Sequence, residues 1–191
     1  MKKLFTLILL SCIALGSTVA QIKWTSIESS DKINNEKLYI IDFYTSWCGW
    51  CKQMDKTTFT DPTVIKIINK YYTAIKFNAE GTSEFTWKGT KYTGGNSNNG
   101  RPATHAFTKA TLGQKIGFPS FAIFNSDKSL INVVQGYNKP KDFIVILWYF
   151  ASKDYLKYSF DQYENIFDEE IKPVMEKELA KGAVETHKKQ N

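Results

Sequence analysis

The hexapeptide Trp47-Cys48-Gly49-Trp50-Cys51-Lys52 constrains this chain more than any other stretch. Its two cysteines follow directly on the apolar run Leu38-Tyr39-Ile40-Ile41-Asp42-Phe43-Tyr44. A short apolar run of that kind reads as a buried strand, and the segment from Gly49 as a helix reaching about Thr58. A strand that hands a C-x-x-C pair to the first turn of a helix places the leading thiol at unpaired backbone N–H groups and the positive end of the helix dipole. Thiols so placed ionise with pKa values in the range of roughly 3.5–7.5. The thiolate is both the attacking and the leaving group of disulfide exchange. Cys48, at an exposed helix start, is the expected nucleophile. Cys51, one turn further in, is the expected resolving thiol. A structural staple is a poor alternative, because so short a loop holds little closure entropy. Zinc is a second alternative, but it normally takes four ligands. After residue 20 the chain offers only these two cysteines and His105 and His187, far apart in sequence.

The N-terminus reads as an export leader rather than as part of the fold. Lys2 and Lys3 precede an apolar stretch from Leu4 to Leu15, which is too short to span a bilayer comfortably. Thr18-Val19-Ala20 supplies small residues for cleavage, so residues 1–20 form the expected signal peptide. Leu9-Leu10-Ser11-Cys12 offers an alternative, lipid attachment at Cys12; the apolar residues that follow it favour the soluble exported form. An exported protein meets conditions in which disulfides persist. Without Lys2 and Lys3 the chain keeps 23 basic against 19 acidic residues, a mild excess scattered along the sequence. A solvated surface explains it better than nucleic-acid binding.

The remaining pattern is α/β. A short apolar patch, Ile22-Lys23-Trp24, precedes a polar segment of helical character. Asp61-Pro62 restarts a helix, with Asp as N-cap, Pro at the first helical position and Val64, Ile65, Ile68 and Tyr71 on one face. Residues 73–78, 120–124 and 130–135 read as strands, and residues 140–157 as an aromatic helix. Residues 79–101 interrupt this order. Phe85–Tyr92 suggests a hairpin turning at Lys88-Gly89, and Gly94–Gly100 a flexible loop without packing residues. A helix is expected over residues 102–112, with Gly113 as its stop. His105 reads as an exposed residue near that helix start, with a place near the cysteine pair as the alternative, since its helix leads into the loop of Pro119. Beyond residue 157, Phe160, Tyr163, Phe167 and Ile171 form a helical stripe, read as a packed cap. Pro173 opens a last helix ending near Gly182, and the tail from Ala183 is expected to be disordered. The expected organisation is a leader (1–20), a main domain (21–157, with the 79–101 insertion) and a C-terminal helical extension and tail (158–191).

The order β-α-β-α-β-α-β-β-α with C-x-x-C after the second strand resembles the thioredoxin fold. Asp42-Phe43-Tyr44-Thr45-Ser46-Trp47-Cys48 matches the family pattern D-F-x-A-x-W-C, except that Thr45 replaces the usual Ala. Lys76 stands where the family carries a Lys on the central strand, and Gly117-Phe118-Pro119-Ser120 where it carries its cis-proline. The chain resembles the exported thioredoxin-like proteins of Gram-negative bacteria, especially those of Bacteroidetes type. Such proteins share Trp-Cys-Gly-Trp-Cys-Lys, the Thr60-Asp61-Pro62-Thr63-Val64 restart and an insertion ahead of the cis-proline.

The resemblance implies a thioredoxin fold, a mixed sheet flanked by helices, and a reversible Cys48–Cys51 couple needing no further cofactor or metal. It implies that buried Asp42 accepts the proton of Cys51, tuned by Lys76. It further implies that cis-Pro119 leaves the Phe118 backbone available to a substrate strand. Trp47, Gly49 and Trp50 shape the couple; Gly49-Trp50 departs from the Gly-Pro of reducing thioredoxins, with no direction of the shift in potential implied. The implied activity is that of a periplasmic protein-disulfide oxidoreductase, acting as a reductase and a monomer on protein thiols and disulfides, and fed electrons by a membrane partner. An oxidase or isomerase, a copper- or zinc-holding dithiol chaperone, and a redox-inactive adaptor are the alternatives.

Overall fold

The computed structural model of the chain describes residues 20–30, 33, 36–98 and 100–188. The expected leader and Cys12 therefore lie outside the described residues, apart from Ala20. The described elements are β1 (Trp24–Thr25), β2 (Leu38–Tyr44), α1 (Gly49–Lys56), α2 (Pro62–Tyr71), β3 (Tyr72–Asn78), β4 (Phe85–Trp87), β5 (Thr90–Tyr92), β6 (Gly95–Asn98) and β7 (Arg101–Ala103). There follow α3 (Ala106–Leu112), β8 (Ser120–Phe124), β9 (Leu130–Gln135), α4 (Pro140–Ala151), α5 (Phe160–Ile166) and α6 (Lys172–Lys188).

Five strands form one mixed sheet in the order β1-β3-β2-β8-β9. β2 is central, parallel to β3 and antiparallel to β8. Successive side chains of a strand point to opposite faces, and the two faces carry separate cores. Ile40 on β2 joins Met54 of α1, Ile65 and Ile68 of α2, and Phe143 and Leu147 of α4. Tyr39, Ile41 and Phe43 face the other way, onto Phe77, Phe85, Trp87 and Phe107. In the β2–β3 register Asp42 stands beside Lys76.

α1 ends at Lys56, two residues earlier than the sequence pattern suggests, and a 3₁₀ turn over Thr58–Thr60 leads to α2. Asp61 caps α2 as expected, accepting the N–H groups of Thr63 and Val64 at 2.8 and 3.0 Å. The polar segment after β1 turns at residues 27–29, and residues 31, 32, 34 and 35 of it lie outside the described residues.

The insertion holds more order than its sequence suggests. The first hairpin turns at Lys88-Gly89, both left-handed (φ 48° and 78°), the pairing of conformations that suits a two-residue hairpin turn. The predicted loop from Gly94 instead supplies β6, antiparallel to β7. Gly95 is needed there, because a Cβ would lie 2.5 Å from the Cβ of Ala103. Pro102 accordingly belongs to a strand, and α3 begins only at Ala106.

At the C-terminal end, α4 stops at Ala151 rather than continuing to 157. Ser152 Oγ turns back to the Trp148 carbonyl and to Asp154 Oδ2, each at 2.7 Å, and Lys153 is left-handed. The aromatic stripe packs as a cap: Tyr163 and Phe167 are buried, and Tyr163 lies 4.8 Å from the Tyr149 ring. Pro173 stands as expected in the first turn of the last helix, where a missing N–H costs little, and that helix follows directly on a π turn over Phe167–Ile171. α6 then runs through Lys188 rather than ending near Gly182, and residues 189–191 lie outside the described residues.

Candidate active site

The cysteine pair lies between the end of β2 and the first turn of α1. Cys48 is the N-cap of α1, with extended backbone angles, and its sulfur accepts the N–H of Cys51 at 3.0 Å. The two cysteines form a disulfide, with Cα atoms 5.3 Å apart. The Cys48 N–H donates to the Thr45 carbonyl, closing the turn between strand and helix. Cys48 is not exposed as the sequence pattern suggested. It is 4% accessible, since it is bonded to Cys51, which packs inward with Met54. The neighbouring indoles of Trp47 and Trp50 are exposed at 66% and 61%.

Those indoles are held from either side. Trp47 Nε1 donates to Glu80 Oε2 at 2.9 Å, and its ring meets Phe118 edge-on with centroids 6.1 Å apart. Trp50 lies 5.2 Å from the ring of Tyr137, beside a shallow cleft that also takes in Gly49 and Gln53. The Phe118–Pro119 peptide is cis. The Pro119 carbonyl accepts the Gly136 N–H at 2.8 Å, anchoring this loop to the end of β9.

On β2, six residues before Cys48, Asp42 is buried at 2% accessibility. Its Oδ2 lies 3.8 Å from Lys76 Nζ, while its Oδ1 has no hydrogen-bond partner. Burial pushes the Asp42 carboxyl up to about 7; Lys76 opposes that rise and Asp55 adds to it. The Lys76 ammonium is in direct contact with Asp55 Oδ1 and is flanked by the rings of Trp24, Tyr44 and Phe59.

A thioredoxin-like domain family matches residues 30–151, more than half of the chain. The chain belongs to the thioredoxin-like family. Two solved structures share its fold. A thioredoxin from Thermus thermophilus superposes with a TM-score of 0.50 at 13% identity, covering 70% of this chain and 89% of that one. A thioredoxin-fold protein from Helicobacter pylori gives 0.50 at 14% identity, covering 87% and 90%. Among curated proteins, the thiol:disulfide interchange protein DsbD of Salmonella typhi is 35% identical over 65 residues. That stretch is 29% of this chain and only 12% of the relative's length.

Within this thioredoxin-like frame the structure groups Trp47, Cys48, Gly49, Trp50 and Cys51 at the start of α1, sets Phe118, the residue before cis-Pro119, against Trp47, and pairs Asp42 with Lys76 across β2 and β3. Thr45, the departure from the family pattern, is buried with its hydroxyl unpartnered. His105 is corrected: it is fully buried, not exposed. Its Nδ1 accepts the Phe107 N–H at 3.0 Å, capping α3, and its Nε2 pairs with the Ser83 carbonyl at 2.9 Å. Sequence reasoning missed three neighbours. Asp55 stands four residues after Cys51 and so shares its helix face, a signal that was readable. Glu80 and Tyr137 arrive from loops and carried none. Among the described residues no group of three or more His, Cys, Asp or Glu is placed to hold a metal ion, and no helix is long and apolar enough to cross a membrane.

Proposed function

We propose that this chain is a protein-disulfide oxidoreductase of the cell envelope that works as a reductase through the Cys48–Cys51 couple. The observation that carries the reading is the disulfide spanning the first turn of α1, with Cys48 as its N-cap. An anion at that position is favoured by the helix dipole and by the Cys51 N–H. In the reduced protein, the Cys48 thiolate attacks a substrate disulfide, forming a mixed disulfide and releasing one substrate thiolate. Cys51 gives its proton to the Asp42 carboxylate, keeps the electron pair, attacks Cys48 Sγ and releases the second substrate thiolate. Two electrons pass to the substrate, and the enzyme is left as the disulfide. The cis Phe118–Pro119 loop presents backbone to the substrate strand.

The reduced form is regenerated by a membrane electron donor. The leader-like N-terminus and the similarity to a thiol:disulfide interchange protein support placement in the envelope. The deciding experiment is a titration of the couple in glutathione and dithiothreitol buffers, followed by fluorescence of Trp47 and Trp50. A potential near −270 mV supports the reductase, whereas one near −120 mV makes the protein a disulfide donor. The absence of a reversible transition overturns the redox reading and directs attention to metal binding by the dithiol.

A further inference from the structure

Lys76 and Asp42 are register partners on adjacent parallel strands, so the backbone alone sets them side by side. A lysine so placed would be expected to bond the buried carboxylate. Instead its ammonium lies 3.8 Å from Asp42 Oδ2 and makes its contact with Asp55, whose side chain is 40% accessible. Trp24, Tyr44 and Phe59 close around the ammonium, with ring centroids 5.4, 5.4 and 5.6 Å away. The buried acid is thereby left with Oδ1 unpartnered, while the half-exposed acid holds the cation. The arrangement is costly for a carboxylate and inexpensive for a carboxylic acid.

We infer that Asp55 is a positioning residue, which draws Lys76 off Asp42 and so keeps Asp42 able to hold a proton at neutral pH. Asp55 lies four residues beyond Cys51 on α1, so the chain of charges from Asp42 through Lys76 ends on the helix face that carries the resolving thiol. The groups facing Asp42 are Lys76 from β3, Asp55 from α1, and the uncharged Phe121 from β8. Burial with Asp55 nearby has pushed the Asp42 carboxyl up to about 7. Both effects of Asp55 have the same sign: it repels a second carboxylate, and it occupies the cation that would favour one. This rests on the proposed role of Asp42 as the acceptor of the Cys51 proton. With Asp55 in place, the accepted proton is retained while the Cys51 thiolate forms.

The test compares Asp55→Asn and Asp55→Glu with the unaltered protein. The Asp42 carboxyl is followed by its ¹³C shift against pH in the oxidised chain, a readout that needs no turnover. Asp55→Asn is expected to lower the Asp42 midpoint by about 1–3 units, and Asp55→Glu to leave it near its original position. The acid limb of protein-disulfide reduction should move down with it. A midpoint unmoved in Asp55→Asn overturns the inference. A midpoint that moves without the limb supports the coupling through Lys76 and overturns Asp42 as base, so the two readings fail separately.

Discussion

The two faces of the sheet carry different loads. On the α1–α2–α4 face, a mixed aliphatic and aromatic core surrounds a buried acid and its lysine. On the α3 face, the Phe107 ring has those of Phe43, Phe77, Phe85, Trp87, Tyr92 and Phe124 within 6.5 Å. Of its polar groups, His105 has both ring nitrogens engaged, while the buried Trp87 Nε1 has no hydrogen-bond partner. One face keeps the buried acid that the proposed proton transfer uses. The other is packed by the insertion and gives that face its stability. Chemistry and packing are thus divided across a sheet one strand thick.

Cys48→Ser should give the largest effect and test the first half of this division. Protein-disulfide reduction is expected to fall to background, while denaturant unfolding of the reduced chain stays where it was. Residual turnover would show that the chemistry lies elsewhere. Trp87→Ala tests the other half. Loss of a buried indole is expected to cost about 3–5 kcal/mol, read from the urea midpoint, with the folded fraction still active. Activity lost from a fully folded variant would break the division.

Asp42→Asn probes the charge itself. The folded carboxyl titrates near 7 against a reference of 3.8, so over that window the folded state holds a proton that the unfolded state has released. Stability therefore falls as pH rises from 3.8 to 7 and stays reduced above it. The Asn variant should match the unaltered protein at pH 4 and exceed it at pH 8 by several kcal/mol, on the order of 4 for a three-unit displacement. Equal pH profiles of unfolding would refute the buried charge. The smallest effect belongs to Asp61→Ala, which removes the α2 cap for about 0.5–2 kcal/mol. Thermal unfolding at pH 7 would show it, with the potential of the disulfide unchanged.

The sequence was most legible where one local rule had no competitor. The β2 run, the C-x-x-C helix start, the Asp61-Pro62 restart and the Lys88-Gly89 turn each follow from a short-range preference, and each is found. The stripe of Phe160, Tyr163 and Phe167 declared its burial through helical spacing. Legibility failed where tertiary contact decided. Gly94–Gly100 has no apolar side chains to signal a strand, and β6 is paired with β7 alongside it. His105 looked like a surface residue until the insertion closed over it, with Phe85 stacked on its ring at 5.4 Å. In the candidate site, strand and helix phase made Asp42, Cys48 and Cys51 readable. Glu80 and Tyr137 come from loops whose paths no periodicity describes.

The low accessibility of Cys48 works as insulation. A sulfur covered to this extent is a poor target for dissolved small thiols, because exchange requires in-line access to the sulfur under attack. A protein partner that docks against Trp47 and Trp50 can present its own sulfur at that spot. For the proposed reductase, exchange with a partner that fits the site would then outpace exchange with the surrounding pool.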